Sequence, residues 1–427
     1  MSCTRRVLAI AISWCALLGE PSEAEADEAA AAAPDYDTAR YEPAGFPLVG
    51  GDSDIGFEVG GVATLTRLGG GVRPYRWNMD VLLALSVKDG PSGPEIVQQN
   101  YFWQWDVVGL YGGRLRLNPA LSYQRTVNEG YFGLGNASSP ERPATVDGVP
   151  GRYFQHVARE ADYRQLARLV LRKPYDLMVA AVYRYVEPSA YEGSKLALDA
   201  QATRADGAPR IRGLRPLSIV SVGAGIIYDT RDSEIFPTRG AFHQIGAKFA
   251  EGLPFLADVR YGEASALLAA YLPVAGPVVV AARLAVDFQV GHVPFYDLYT
   301  GGPFVTVEML GGSSGVRGVP IGRYLGLVKA MGNVEARALV VGFRLAGQSF
   351  KVGGSAFFDT GRVWSDYTFR SPDDGRGLGL KYGAGLGAYL LWGQAALFRV
   401  ELAYSPDAAS ENRGFPFGLY VEDGVMF

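Results

Sequence analysis

A serine between glycines is the first place to look for a nucleophile, and Gly311-Gly312-Ser313-Ser314-Gly315 has that form. A nucleophile elbow needs a strand–turn–helix setting and a His/Asp pair. This stretch lies in a glycine-rich loop, so the chain is read as non-enzymatic. His156, His243 and His292 are far apart and lack the His-x-x-x-His spacing of a metal centre. Gly383-Ala384-Gly385-Leu386-Gly387 lacks the phosphate-cradling spacing and a following helix. It reads as small residues on a strand that faces a loop. Asp229, Arg231 and Asp232 could hold a cation, but a charge-paired network beside a turn is the preferred reading. Asn136-Ala137-Ser138 is a glycosylation sequon by pattern only. The two cysteines, Cys3 and Cys15, fall in the first fifteen residues. Removing that segment would exclude disulfides, cysteine zinc sites, iron–sulfur clusters and thiol nucleophiles together. No cofactor and no metal are expected.

One charged residue stands out. Arg317 sits in Leu310-Gly311-Gly312-Ser313-Ser314-Gly315-Val316-Arg317-Gly318-Val319-Pro320, within a long stretch from Gly291 to Leu325 where regular patterning stops. A loop of this length in a compact fold is usually functional. Its glycines let a thin segment turn tightly in a narrow space. A buried arginine needs a carboxylate, best held through two parallel hydrogen bonds. The strands that follow offer Glu335 and Asp359.

The elements that must position these residues have period two. Val278, Val280, Ala282, Leu284, Val286, Phe288 and Val290 share one face, and Val279, Ala281, Arg283, Ala285, Asp287 and Gln289 share the other. Phe398, Val400, Leu402 and Tyr404 likewise oppose Leu397, Arg399, Glu401 and Ala403. That is alternation with an apolar outside and a mixed-charge inside. Hydrocarbon offers a backbone no partners, so a chain without long apolar helices can span it only as a closed sheet. Fifteen strands are readable: 55–68, 73–88, 96–109, 113–127, 152–171, 174–187, 213–229, 239–251, 257–273, 277–291, 327–346, 348–364, 379–391, 395–406 and 416–427. Single-chain bacterial barrels use even numbers, so sixteen are expected, with the missing one in 40–60 or 187–213. The rival to this all-β transmembrane antiparallel barrel is a soluble sandwich or propeller. Phe427 is expected in an interfacial aromatic belt, as a barrel-terminal signal.

Composition agrees. The 427 residues carry 48% hydrophobic and 20% charged residues, 55 glycines and a net charge of −4. This fits neither a disordered chain nor one that binds nucleic acid. Arg5 and Arg6, the apolar run Val7 to Leu18, and Ala24-Glu25-Ala26 form a secretory signal over 1–26. Residues 27–45 read as a short disordered periplasmic lead, and 46–427 as the barrel, with the long loop at about 292–325.

Four segments together resemble the barrel of the BamA/TamA outer-membrane assembly family, also called bacterial surface antigens. Tyr228-Asp229-Thr230-Arg231-Asp232 with Phe236-Pro237-Thr238-Arg239-Gly240 resembles its strand-and-periplasmic-turn motif. Val316-Arg317-Gly318 resembles its lid-loop motif. Glu335 and Phe357-Phe358-Asp359-Thr360-Gly361 resemble the wall segments facing that lid. Gly130-Tyr131-Phe132-Gly133-Leu134-Gly135-Asn136 resembles an early-loop motif. The resemblance implies a sixteen-stranded barrel of the bacterial outer membrane, integral to it. Its lid folds inward after the eleventh strand, Arg317 is locked to Glu335 and Asp359, and the first and last strands meet at a weak seam. It also implies assembly or translocation of client outer-membrane proteins, with those clients and outer-membrane lipid as partners. Two departures are visible. Between residue 26 and the first readable strand there is no room for the family's periplasmic modules. Val319 stands where an aromatic usually follows Arg-Gly, with Tyr324 later, so the tip of the lid is expected to pack differently. Because fold alone does not fix function, the alternative is a passive channel or surface protein that keeps only the fold.

Overall fold

In the computed structural model, residues 35–52, 56–90, 93–141, 145–148, 150–204, 206–254, 258–410 and 415–427 are described. The expected signal peptide, and residues 27–34 of the expected lead, lie outside the described residues. The strands are β1 (Arg40–Asp52), β2 (Gly56–Leu68), β3 (Trp77–Gly90), β4 (Gly93–Gly109), β5 (Leu115–Gly130), β6 (Gln155–Arg172), β7 (Tyr175–Ala190), β8 (Leu217–Asp229), β9 (Gly240–Leu253), β10 (Arg260–Ala275) and β11 (Val278–His292). Two short strands, β12 (Thr300–Gly301) and β13 (Val307–Glu308), pair with each other inside the long loop. Then come β14 (Val328–Leu345), β15 (Gln348–Trp364), β16 (Lys381–Trp392), β17 (Ala396–Tyr404) and β18 (Phe417–Asp423). All but β12 and β13 form one antiparallel sheet in chain order. The protein is a sixteen-stranded transmembrane β-barrel. One helix, α1 (Lys195–Gln201), lies in the β7–β8 connection, where Ser194 accepts a hydrogen bond from the Ala197 amide as its N-cap.

The expected alternation holds on β11. Val278, Leu284, Val286, Phe288 and Val290 are exposed on the outside, while Val279, Ala281, Arg283, Ala285, Asp287 and Gln289 are buried inside. The fifteen readable strands are all present. The sixteenth is β1, so residues 40–45, expected in the lead, are strand instead. At one end the connections 276–277, 346–347 and 393–395 are tight turns, whereas 131–154, 191–216, 293–327 and 365–380 at the other are long. Short turns mark the periplasmic end of such barrels and long loops the outer end.

The interior is filled rather than open. The long loop enters from the outer end and buries Met309, Leu310, Val316, Val319 and Tyr324 against Ala285, Met331 and Val363 of the wall. From the periplasmic end, the 230–239 turn brings Phe236 against Tyr389 and Leu397. Residues 424–427 also turn inward. They correct two expectations: β18 stops at Asp423, and Phe427 is not in the outer belt. Phe427 packs beside Ala269, Tyr271, Val279 and Ala281 in the lumen. Leu419 and Val421 face outward, and Asp423 shares their parity. The strand ends at Asp423, and the chain bends inward at Gly424, whose φ is +71°. A cavity of about 360 Å³ remains at this end, lined among others by Asn78, Asp80, Arg231, Glu234, Arg283 and Phe427.

Candidate functional site

Arg317 is fully buried at the tip of the long loop. Its Nε and Nη2 donate to the two carboxylate oxygens of Asp359 at 2.8 and 3.0 Å, and its backbone amide adds a third bond at 3.1 Å. Its Nη1 donates to Glu335 at 3.1 Å and to Glu401 at 2.6 Å. The guanidinium lies 3.4 Å from the centre of the Phe357 ring, a cation–π contact in a desolvated place. Tyr389 donates its hydroxyl to Glu335 at 2.6 Å. Arg337 stands 3.7 Å from Glu335, and Arg399 stands 3.2 Å from Glu401. Three buried arginines therefore face three buried carboxylates, the condition under which charges tolerate removal from water.

The strands explain how the loop reaches this place. Asp359 on β15 and Glu335 on β14 lie on inward positions of adjacent strands, two pairs apart in register: Asp359 is opposite Asn333, and Glu335 is opposite Phe357. On β16, a side chain at Gly383 would place its Cβ 1.8 Å from the carbonyl oxygen of Arg317. Only glycine lets the loop backbone lie this close to the wall. The same holds at Gly385, where a Cβ would meet the Phe357 ring at 2.5 Å. The small-residue reading of 383–387 thus has a steric reason. Gly318 adopts φ +90° and donates its amide to the Tyr420 hydroxyl at 2.8 Å, tying the loop to β18.

Sequence reasoning missed Glu401. Its place on the inner face of β17 was readable, but its pairing with Arg317, 84 residues away, depends on barrel register. It also missed three wall arginines that bridge the filling segments. Arg283 donates to Ser314 O (2.6 Å) and Met426 O (3.5 Å). Arg399 donates to Ser313 O (3.3 Å) and Gly424 O (3.2 Å). Arg337 donates to Pro237 O (3.3 Å) and Phe427 O (3.2 Å). Each therefore holds residues 424–427 together with either the long loop or the periplasmic turn.

The turn itself is a paired network. Asp229 accepts Arg231 (3.0 and 2.9 Å) and Arg168 (3.1 Å). Asp232 accepts the amides of Thr238 (2.9 Å) and Arg239 (3.2 Å), and the Thr238 hydroxyl. Burial would raise the Asp232 carboxyl, but these hydrogen bonds outweigh it and hold it below the usual carboxylate range. Gly240 opens β9, and Pro237 supplies the carbonyl that Arg337 binds.

The remaining sequence candidates are scattered. Ser314 donates its hydroxyl to Glu308. His156 lies 5.2 Å from the Phe295 ring, His243 stacks on Tyr228 at 5.5 Å, and His292 is opposite Arg260. Asn136 is buried and donates to Gly379 O at 2.7 Å. The early loop reaches the end of the long one, where the Gly135 amide donates to Leu325 O at 2.7 Å. Val319 is buried in the apolar cluster, and Tyr324 donates to Asp407 at 2.6 Å.

β1 and β18 are the ends of the sheet. They stand first and last in the strand order. Phe46 of β1 meets Phe398 of β17 edge-on at 4.8 Å, and Ala44 packs with Ala396. Glu42 accepts the Gln394 amide at 2.7 Å.

Comparison with known proteins fits this architecture. No curated protein matches the chain. BamA from Haemophilus ducreyi lacking POTRA domains 1–3 is similar in structure, with a TM-score of 0.51 at 15% identity, covering 91% of this chain and 70% of that one. CdiB from Escherichia coli is similar with a TM-score of 0.53 at 14% identity, covering 92% of this chain and 63% of that one. This chain therefore spans less than two thirds of the CdiB chain. The Omp85 superfamily domain matches residues 167–419. The chain belongs to the Omp85 superfamily, and it is an integral β-barrel of the bacterial outer membrane.

Proposed function

We propose that this barrel assembles or translocates other polypeptides at the outer membrane. The long loop acts as a lid fixed by Arg317, and the junction of β1 and β18 acts as a lateral seam. The observation that carries the reading is the side-chain packing of β1 on the last hairpin, Phe46 against Phe398, in a barrel whose lumen is filled. An unpaired edge is a template for a client strand, and a filled lumen points the route sideways rather than through. Pro43 and Pro47 on β1 support it: proline has no amide donor and in sheets is confined to edge strands. They weaken any ladder that would close the seam. The Arg317 cluster supplies the second part, a loop anchored at once to β14, β15 and β17 and, through Gly318, to β18.

Depletion of the protein, followed by quantitation of other outer-membrane barrels and surface-exported proteins, tests this reading. A fall in one of those groups is expected. Unchanged levels, with steady conductance of the purified barrel in a planar bilayer, would contradict it in favour of a passive channel.

A further inference from the structure

The periplasmic rim carries cations that carboxylates do not hold. Arg73 and Arg76 follow β2, Arg114 follows β4, Arg172 and Lys173 join β6 to β7, Arg239 precedes β9, and Arg344 ends β14; all are exposed. Lys173 stands 3.5 Å from Asp176, which Arg168 already holds at 2.6 Å. Arg73 lies over the Tyr36 ring at 5.0 Å. The other five have no ion pair among the described residues. Of the rim's acids, Asp35 is held by Arg40 and Asp232 by its turn. At the outer end Arg152 pairs with Asp147 at 3.1 Å, Arg159 with Glu187 at 2.8 Å, and Arg210 with Asp373 at 2.8 Å, while exposed Arg204, Arg370 and Arg376 have no ion pair among the described residues.

Aromatic rings sit directly above these cations on the outer wall. Tyr41, Trp77 and Trp105 follow one another at 6.0 and 6.3 Å. Tyr175 and Tyr228 meet at 5.4 Å, and Phe343, Phe350 and Trp392 at 5.3 and 5.1 Å. Such a girdle marks the boundary between hydrocarbon and headgroups. The next residues toward the turns are then at phosphate depth, within reach of long Arg and Lys side chains. The cations are spread over successive turns around the barrel. A lipid shell has that distribution; a docked protein would need them on one side with an apolar centre.

We infer that the periplasmic rim is a collar for anionic glycerophospholipid headgroups of the inner leaflet. The collar is independent of how the lid and seam act. The full-length barrel, purified in detergent with phosphatidylglycerol and phosphatidylcholine, is examined by native mass spectrometry for retained lipid. Phosphatidylglycerol is expected to be preferred, and the preference to fall about fivefold for each cation lost in Arg114→Gln, Arg172→Gln and Lys173→Gln, the equivalent of about 1 kcal/mol per cation. Arg204→Gln with Arg376→Gln, at the outer end, should leave it unchanged. The wild type gives a second reading if the triple variant fails to fold: raised salt should abolish the preference by screening. No preference in the wild type, a preference that persists in high salt, retention by a folded triple variant, or equal loss in the outer-end pair each overturns the collar.

Discussion

Arg317 concentrates most of the site's energetics in one side chain. Removing it would leave Asp359, Glu335 and Glu401 buried around an empty centre. Breaking a buried pair from one side costs about 3–5 kcal/mol, so Arg317→Ala should lower the urea midpoint of the folded barrel and expose the long loop to protease. Unchanged heat-resistant gel mobility together with unchanged loop cleavage would show that the cluster does not hold the loop. Gly383→Ala makes a sharper prediction, because it leaves every charge in place. A methyl 1.8 Å from the Arg317 carbonyl must push the loop off the wall, so loop proteolysis should rise although the ion pairs keep all their members. Equal protection in Gly383→Ala and wild type would contradict that. At this scale Arg317, Glu335 and Asp359 were readable, since a glycine-rich loop with one arginine is unusual and needs acids. Glu401 was not, because every inward strand face here carries charges of both signs, and only register selects among them.

Among the elements, the bridging arginines make residues 424–427 a shared support for the long loop and the 230–239 turn. Truncation after Asp423 removes one hydrogen-bond acceptor from each of Arg283, Arg337 and Arg399. Limited proteolysis should then cut both the long loop and the turn faster than in the full chain; acceleration at neither would separate the segments. The turn also has its own acid dependence. The Asp232 carboxyl is held below its usual range, so its support is complete above the ordinary carboxylate value and is lost as pH falls through the depressed one. Asp232→Asn should remove that sensitivity, measured as hydrogen exchange of the Thr238 and Arg239 amides. The course of residues 424–427 was not legible: Leu419, Val421, Val425 and Phe427 keep one parity on paper, and only the three-dimensional position of the arginines draws the chain inside. β1 was hidden for a different reason. Pro43, Pro47, Gly50 and Gly51 read as breakers in an ordinary strand, yet all four lie within the pairing of β1 with β2.

For the molecule as a whole, alternation over the wall strands was enough to read a membrane barrel, because lipid outside and polar filling inside impose period two on a strand that spans, broken only locally at bulges such as Leu339/Val341. What fills the barrel has no period, so its packing came only from the fold. Assembly through a seam requires the two ends of the sheet to separate during work. Residues 16–427 contain no cysteine, so Phe46→Cys with Phe398→Cys places a single thiol pair where β1 meets β17. In a strain depleted of the wild-type protein, the oxidised double variant should fail to sustain the levels of other outer-membrane barrels or exported proteins, and a reductant should restore them. Full support by the cross-linked form would contradict an opening seam.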